Sequence, residues 1–144
     1  MYELTLGPLL FNWPPEKIRD FYFKMADESP VDVVILGEVV CSKRFVFQSE
    51  YFNAVLERLM GAKKQVIFSS LALVMDDNEC QSMRDLADMA NEYLIEANDL
   101  SLVELLAGRS HAIGPYINTY TDGTLSYLES QGARRISLPG ELSA

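Results

Sequence analysis

Two periods of apolar and polar positions alternate along this 144-residue chain. Short runs of β-branched and aliphatic residues predict strands. Between them, apolar residues recur at offsets of three and four, which predicts helices with one buried face. Glu3 to Leu10 predicts a first strand, ended by Gly7-Pro8 and by Asn12-Trp13-Pro14-Pro15. Prolines suit the first helical turn, whose amides lack intrahelical partners. Ile18, Phe21, Tyr22 and Met25 form one helix face, opposite Glu16, Lys17, Asp20 and Lys24, and Ser29-Pro30 stops the helix. Val31 to Leu36 reads as a strand buried on both faces, as in parallel sheets. Phe45-Val46-Phe47 continues the loop that follows it. Phe52, Val55, Leu56 and Leu59 mark the next helix, with Gly61 as its cap and Lys63-Lys64 at its carboxyl end.

Gln65 to Val74 predicts a third strand with Ser69-Ser70 inside it. Asp76-Asp77-Asn78 signals a helix start, and Met83, Leu86, Ala87 and Ala90 line that helix. Tyr93 to Ala97 is a fourth strand, followed by a short helix with Leu102, Leu105 and Leu106 that ends at Gly108. Ala112 to Thr121 predicts a fifth strand, although Gly114-Pro115 interrupts it. Asp122 caps a helix bearing Leu125 and Leu128, closed by Gly132. Arg135 to Leu138 is a sixth strand, followed by Pro139-Gly140-Glu141-Leu142.

Strand and helix alternate about five times before the last strand. That order fits right-handed βαβ crossovers and a parallel sheet within a single domain, residues 1–144. An open doubly wound sheet and a part of a (β/α)8 barrel both satisfy the pattern; a complete barrel needs about 250 residues. No GxGxxG or P-loop supports a nucleotide-binding reading. The net charge of −9 makes the chain a poor match for phosphate backbones, while leaving room for a local basic pocket. No run reaches the roughly 18 apolar residues of a membrane span. Met1-Tyr2-Glu3-Leu4 has no basic region ahead of its apolar residues, so no signal peptide is expected. Cys41 and Cys80 make no disulfide framework, which fits a reducing cytoplasm.

The densest chemistry lies where the second strand ends: Gly37, Glu38, Cys41, Ser42, Lys43 and Arg44. In α/β folds, sites are built beyond the carboxyl ends of strands. Lys43 and Arg44 favour a thiolate at Cys41. The bland alternatives are a small core thiol and a solvated cationic pair. Cys80, in the first turn of the third helix among Asp76, Asp77 and Glu79, reads as structural or incidental. His111 reads as a surface or loop-packing residue in a linker before a strand. A Cys41–His111 dyad is formally the nucleophile and base of a peptidase, with no HExxH present. Ser70, Glu96, Asn98, Asn118 and Glu141, with Glu38, sit at or just beyond predicted strand ends and form a candidate rim.

Five blocks then carry a resemblance. They are Leu6-Gly7-Pro8 with Trp13-Pro14, Leu36-Gly37-Glu38-Val39-Val40-Cys41-Ser42-Lys43-Arg44, Leu71-Ala72-Leu73-Val74, Leu94-Ile95-Glu96-Ala97-Asn98-Asp99-Leu100, and the weaker Pro139-Gly140-Glu141-Leu142-Ser143. Along its whole length the chain resembles the UbiV-like ubiquinone-biosynthesis branch of the collagenase-like peptidase superfamily (peptidase family U thirty-two). The resemblance implies a TIM-barrel-like fold, here about six strands of a (β/α)8 barrel. It implies a [4Fe-4S] cluster and a heterodimer with a UbiU-type paralogue, and through them oxygen-independent ring hydroxylation with prephenate as hydroxyl source. Relatives in the superfamily hydroxylate RNA bases, and others are peptidases. Carried over by position, one cluster ligand falls on this chain, Cys41. The other three belong to a later part of the family sequence, so the chain is expected to be an amino-terminal portion with an incomplete ligand set. Open edges on the first and sixth strands would then favour self-association.

Overall fold

The computed structural model describes residues 2–44 and 51–142. The expected loop continuation at Phe45-Val46-Phe47 and the last residue of the fifth block, Ser143, lie outside the described residues. The elements are β1 (Thr5–Leu6), α1 (Pro15–Glu28), β2 (Val33–Leu36), α2 (Tyr51–Gly61), β3 (Gln65–Ser69), α3 (Asp77–Asp88), β4 (Leu94–Ala97), α4 (Leu100–Leu105), β5 (His111–Ile113), α5 (Asp122–Ser130) and β6 (Ala133–Ile136). The six strands form one sheet in chain order, β1-β2-β3-β4-β5-β6. They pair in parallel, as in β1–β2, β4–β5 and β5–β6. A doubly wound sheet reverses its order at a switch point, and this one does not. The fold is therefore a parallel β/α array of the partial TIM-barrel kind. The chain groups into two compact units, residues 1–67 and 68–144.

In the first unit, Pro15 opens α1 and Ile18, Tyr22 and Ala26 form its buried face. α1 packs on α2, which buries Val55 and Leu59. Between the two helices, Arg58 donates to both carboxylate oxygens of Asp27 at 2.9 and 2.7 Å. All four residues of β2 are buried, as its unbroken apolar run predicts. β1 is only two residues long, against the expected Glu3–Leu10, because Gly7-Pro8 ends it and proline has no amide for a ladder. Lys63 closes α2 at φ 60°, the turn that Gly61 was expected to make. The next residue, Lys64, donates from Nζ to the carbonyls of Ser29 (2.9 Å) and Val31 (2.8 Å), tying the end of α1 to the approach to β2.

In the second unit, Ile95, Leu102, Leu106, Ile113 and Leu128 are wholly buried. Leu105, expected beside Leu102 and Leu106, is 39% exposed instead. Side-chain caps start the helices: Asp76 accepts from the Glu79 amide, Asp99 from Ser101 and Thr121 from Thr124. The cap of α5 is thus Thr121 rather than the expected Asp122, which becomes its first helical residue. β3 ends at Ser69 and not at Val74; Leu73 and Met75 beyond it are exposed loop residues. β5 begins at His111 and stops before Gly114-Pro115, where a 3-10 turn, Pro115–Ile117, replaces the expected strand to Thr121. β6 starts two residues earlier than Arg135. Before it, Gly132 at φ 111° lies so close to β5's approach that a Cβ would stand 2.4 Å from the Arg109 carbonyl oxygen.

Candidate functional site

Within residues 1–67, the apolar run of β2 gives way at Gly37, whose φ of 149° is open to glycine and strained for other residues. The chain then turns around Glu38. This side chain is 8% exposed, and its Oε1 accepts the amides of Val40 (2.8 Å) and Cys41 (3.0 Å). Cys41 is half-buried and opens a 3-10 turn, Ser42–Arg44, in which the Arg44 amide donates to the Cys41 carbonyl at 2.9 Å. Lys43 is exposed; the Arg44 guanidinium donates to the Leu10 carbonyl at 3.2 Å. So the buried carboxylate holds the turn through the thiol residue's own amide, and one of the two cations braces it.

Beside this turn, Tyr22 is 1% exposed and its hydroxyl has no hydrogen-bond partner. Burial pushes its pKa up to about 12; the Leu9 backbone pulls the other way, and the Glu38 charge adds to the rise. The sequence pattern puts Tyr22 on the buried face of α1 and carries no sign that it neighbours Glu38.

Within residues 68–144, the carboxyl ends of β3 and β4 build a buried polar cluster. Ser69 Oγ donates to Glu96 Oε1 at 2.7 Å. Asn98 Nδ2 donates to Ser69 Oγ at 2.8 Å and to the Ser70 carbonyl at 3.1 Å, with a longer 3.5 Å approach to Glu96 Oε1. The Asn98 amide donates to Ser70 Oγ at 2.9 Å, and the Ser70 amide to the Glu96 carbonyl at 3.0 Å. Ser70, Glu96 and Asn98 are each at most 2% exposed. Burial raises the Glu96 pKa, while the donors Ser69 and Asn98, then the positive charge of Arg135, draw it down. Asn98 Oδ1 is buried without a partner, pressed against Gly114, where a Cβ would fall 1.9 Å from it.

Three rim residues expected from sequence, Ser70, Glu96 and Asn98, thus meet. Asn118 is exposed, at φ 58°, and serves to end the 3-10 turn after β5. Glu141 is exposed and accepts the Tyr120 hydroxyl, which lowers its pKa and raises that of Tyr120. Neither makes a side-chain hydrogen bond to the Ser–Glu–Asn cluster among the described residues. Ser69 and Gly114 belong to the site and were not singled out as such. An adjacent serine pair inside an apolar run was the available signal, since a buried hydroxyl requires a partner.

Cys80 sits half-buried on α3. His111 is not in a linker. It is the first residue of β5, 0% exposed, with Nδ1 2.8 Å from the Arg109 carbonyl and Nε2 buried without a partner. The parallel ladder extends further toward the start of β5 than its residue pattern indicates. Among the described residues, no three or more His, Cys, Asp or Glu side chains gather to hold a metal ion. No helix among them is long and apolar enough to cross a membrane. Comparison with models of protein families finds no match, and comparison with solved structures finds none either.

Proposed function

We propose that this chain is the amino-terminal portion of a UbiV-like iron–sulfur accessory protein for oxygen-independent ring hydroxylation in ubiquinone biosynthesis. It works in the cytoplasm as a heterodimer with a UbiU-type paralogue. The supporting observation is the setting of Cys41 inside the block Leu36–Arg44: the thiol residue follows the carboxyl end of β2 and its amide is fastened by buried Glu38. Groups behind a metal ligand help to orient it, and a turn closed on a carboxylate fixes the Cys41 backbone in that way. The residues present do not fit a [4Fe-4S] cluster by themselves. A cubane takes four thiolates, and Cys80 does not correspond to any ligand of the family pattern. In this reading the other three come from sequence beyond these residues. The peptidase and RNA-hydroxylating alternatives rest on the same superfamily likeness. Buried His111 gives the first of them no accessible base.

The test is anaerobic reconstitution with iron and sulfide of the protein that contains this chain and three further cysteines, alone and with the UbiU-type partner. Cys41→Ser is expected to lose most of the bound iron and sulfide, and Cys80→Ala to keep it. Full iron and sulfide content in Cys41→Ser would sink the ligand assignment.

A further inference from the structure

The end of β2 and the middle of α1 enclose a cavity of about 10 Å³, lined by Leu9, Asn12, Ile18, Tyr22, Gly37 and Glu38. That is about the space of one water molecule. Three polar residues line it: Asn12, which is exposed, and the buried Tyr22 and Glu38. The Tyr22 hydroxyl, held protonated by its burial, has no acceptor for its proton. The Glu38 carboxylate is 8% exposed and is supported by two backbone amides on a single oxygen. A buried donor without an acceptor is costly, and a buried carboxylate is stabilised by every further donor. The occupant must therefore accept from Tyr22 and donate to Glu38. An ammonium ion cannot accept, an anion is repelled by Glu38, and a larger alcohol exceeds the volume.

We propose that this cavity is a water-binding site, in which one bound water accepts the Tyr22 O–H and donates to the Glu38 carboxylate. It makes Tyr22 a positioning residue for the turn that carries Cys41. This holds whether or not Cys41 binds a cluster.

The test uses nuclear magnetic resonance on the isotope-labelled chain. A long-lived water should show cross-relaxation with the Tyr22 side-chain protons. Tyr22→Phe should abolish that signal and speed hydrogen exchange of the Val40 and Cys41 amides about tenfold or more, with the α1 amides around Ile18 unchanged. Equal acceleration throughout α1 would mean a packing role only and would overturn the proposal. Absence of the water signal in the unsubstituted chain would overturn it too, and that measurement stands even where Tyr22→Phe fails to fold.

Discussion

Gly114→Ala is the sharpest perturbation the fold offers. Gly114 has φ −82° and ψ 169°, extended backbone that alanine adopts without strain. The cost therefore lies in contact alone. The new Cβ would stand 1.9 Å from Asn98 Oδ1 and 2.6 Å from its Cγ, so the amide has to leave its place. It then gives up its bonds to Ser69 Oγ and the Ser70 carbonyl. A lost hydrogen bond costs about 0.5–1.5 kcal/mol and a buried group left unsatisfied about 1–3 kcal/mol. Restriction of the unfolded chain by alanine returns about 0.4–1 kcal/mol. A net loss of about 1–5 kcal/mol follows. Urea unfolding followed by circular dichroism, run on Gly114→Ala, Asn98→Ala and the double variant, measures it. Asn98→Ala removes the group that clashes, so the double variant should be at least about 1 kcal/mol more stable than the sum of the single losses predicts. A Gly114→Ala loss under about 0.5 kcal/mol, or strict additivity in the cycle, would refute the reasoning.

Other consequences follow from buried groups. Tyr22 titrates near 12 instead of 10.0. Its protonated form favours the fold, so that contribution is complete below pH 10 and is lost as pH rises through 12. Two pKa steps amount to about 2.7 kcal/mol. Stability measured from pH 9 to 12 should fall less steeply in Tyr22→Phe than in the parent; parallel curves would contradict this. Glu96 also has a raised pKa, so its contribution is present at low pH and is lost as pH rises through that raised value. Glu96→Gln keeps an acceptor for Ser69 and should gain stability relative to the parent as pH rises above the ordinary glutamate range. A difference independent of pH between 4 and 8 would count against it. Lys64→Met removes both donors to Ser29 and Val31 and should cost about 1–3 kcal/mol by thermal or urea unfolding.

Local pattern carried much of the fold. The unbroken apolar run of β2 is buried at every position, and the three-and-four spacing of Ile18 and Tyr22 does face the core. Asp76 caps α3 because a cap acts within one helical turn and needs no distant partner. Sequence was weakest where distant chain decides. Nothing near His111 shows that its amide reaches the Gly132 carbonyl and starts β5. Ser69 and Glu96 are 27 residues apart, and their hydrogen bond exists only because β3 and β4 end together. Glu96 was legible as a strand-end carboxylate, but its burial and its dependence on Asn98 were not. The contact of Gly114 with Asn98 was hidden for the same reason: glycine announces a possible close approach without naming what approaches.

Strand pairing in chain order also shapes how the molecule can be made. Thr5 pairs with Val33, Glu96 with Ala112 and Ala112 with Arg135, closing loops of about 28, 16 and 23 residues. Closure entropy grows only with the logarithm of loop length, so these three closures differ by about 0.5 kcal/mol. No one of these pairings is a bottleneck set apart from the others by its span. None of these three pairs spans more than about 28 residues of the chain. On a ribosome, β1 can find its partner once β2 has emerged, long before the last strand is synthesised, and the sheet can lengthen one strand at a time in the order of translation.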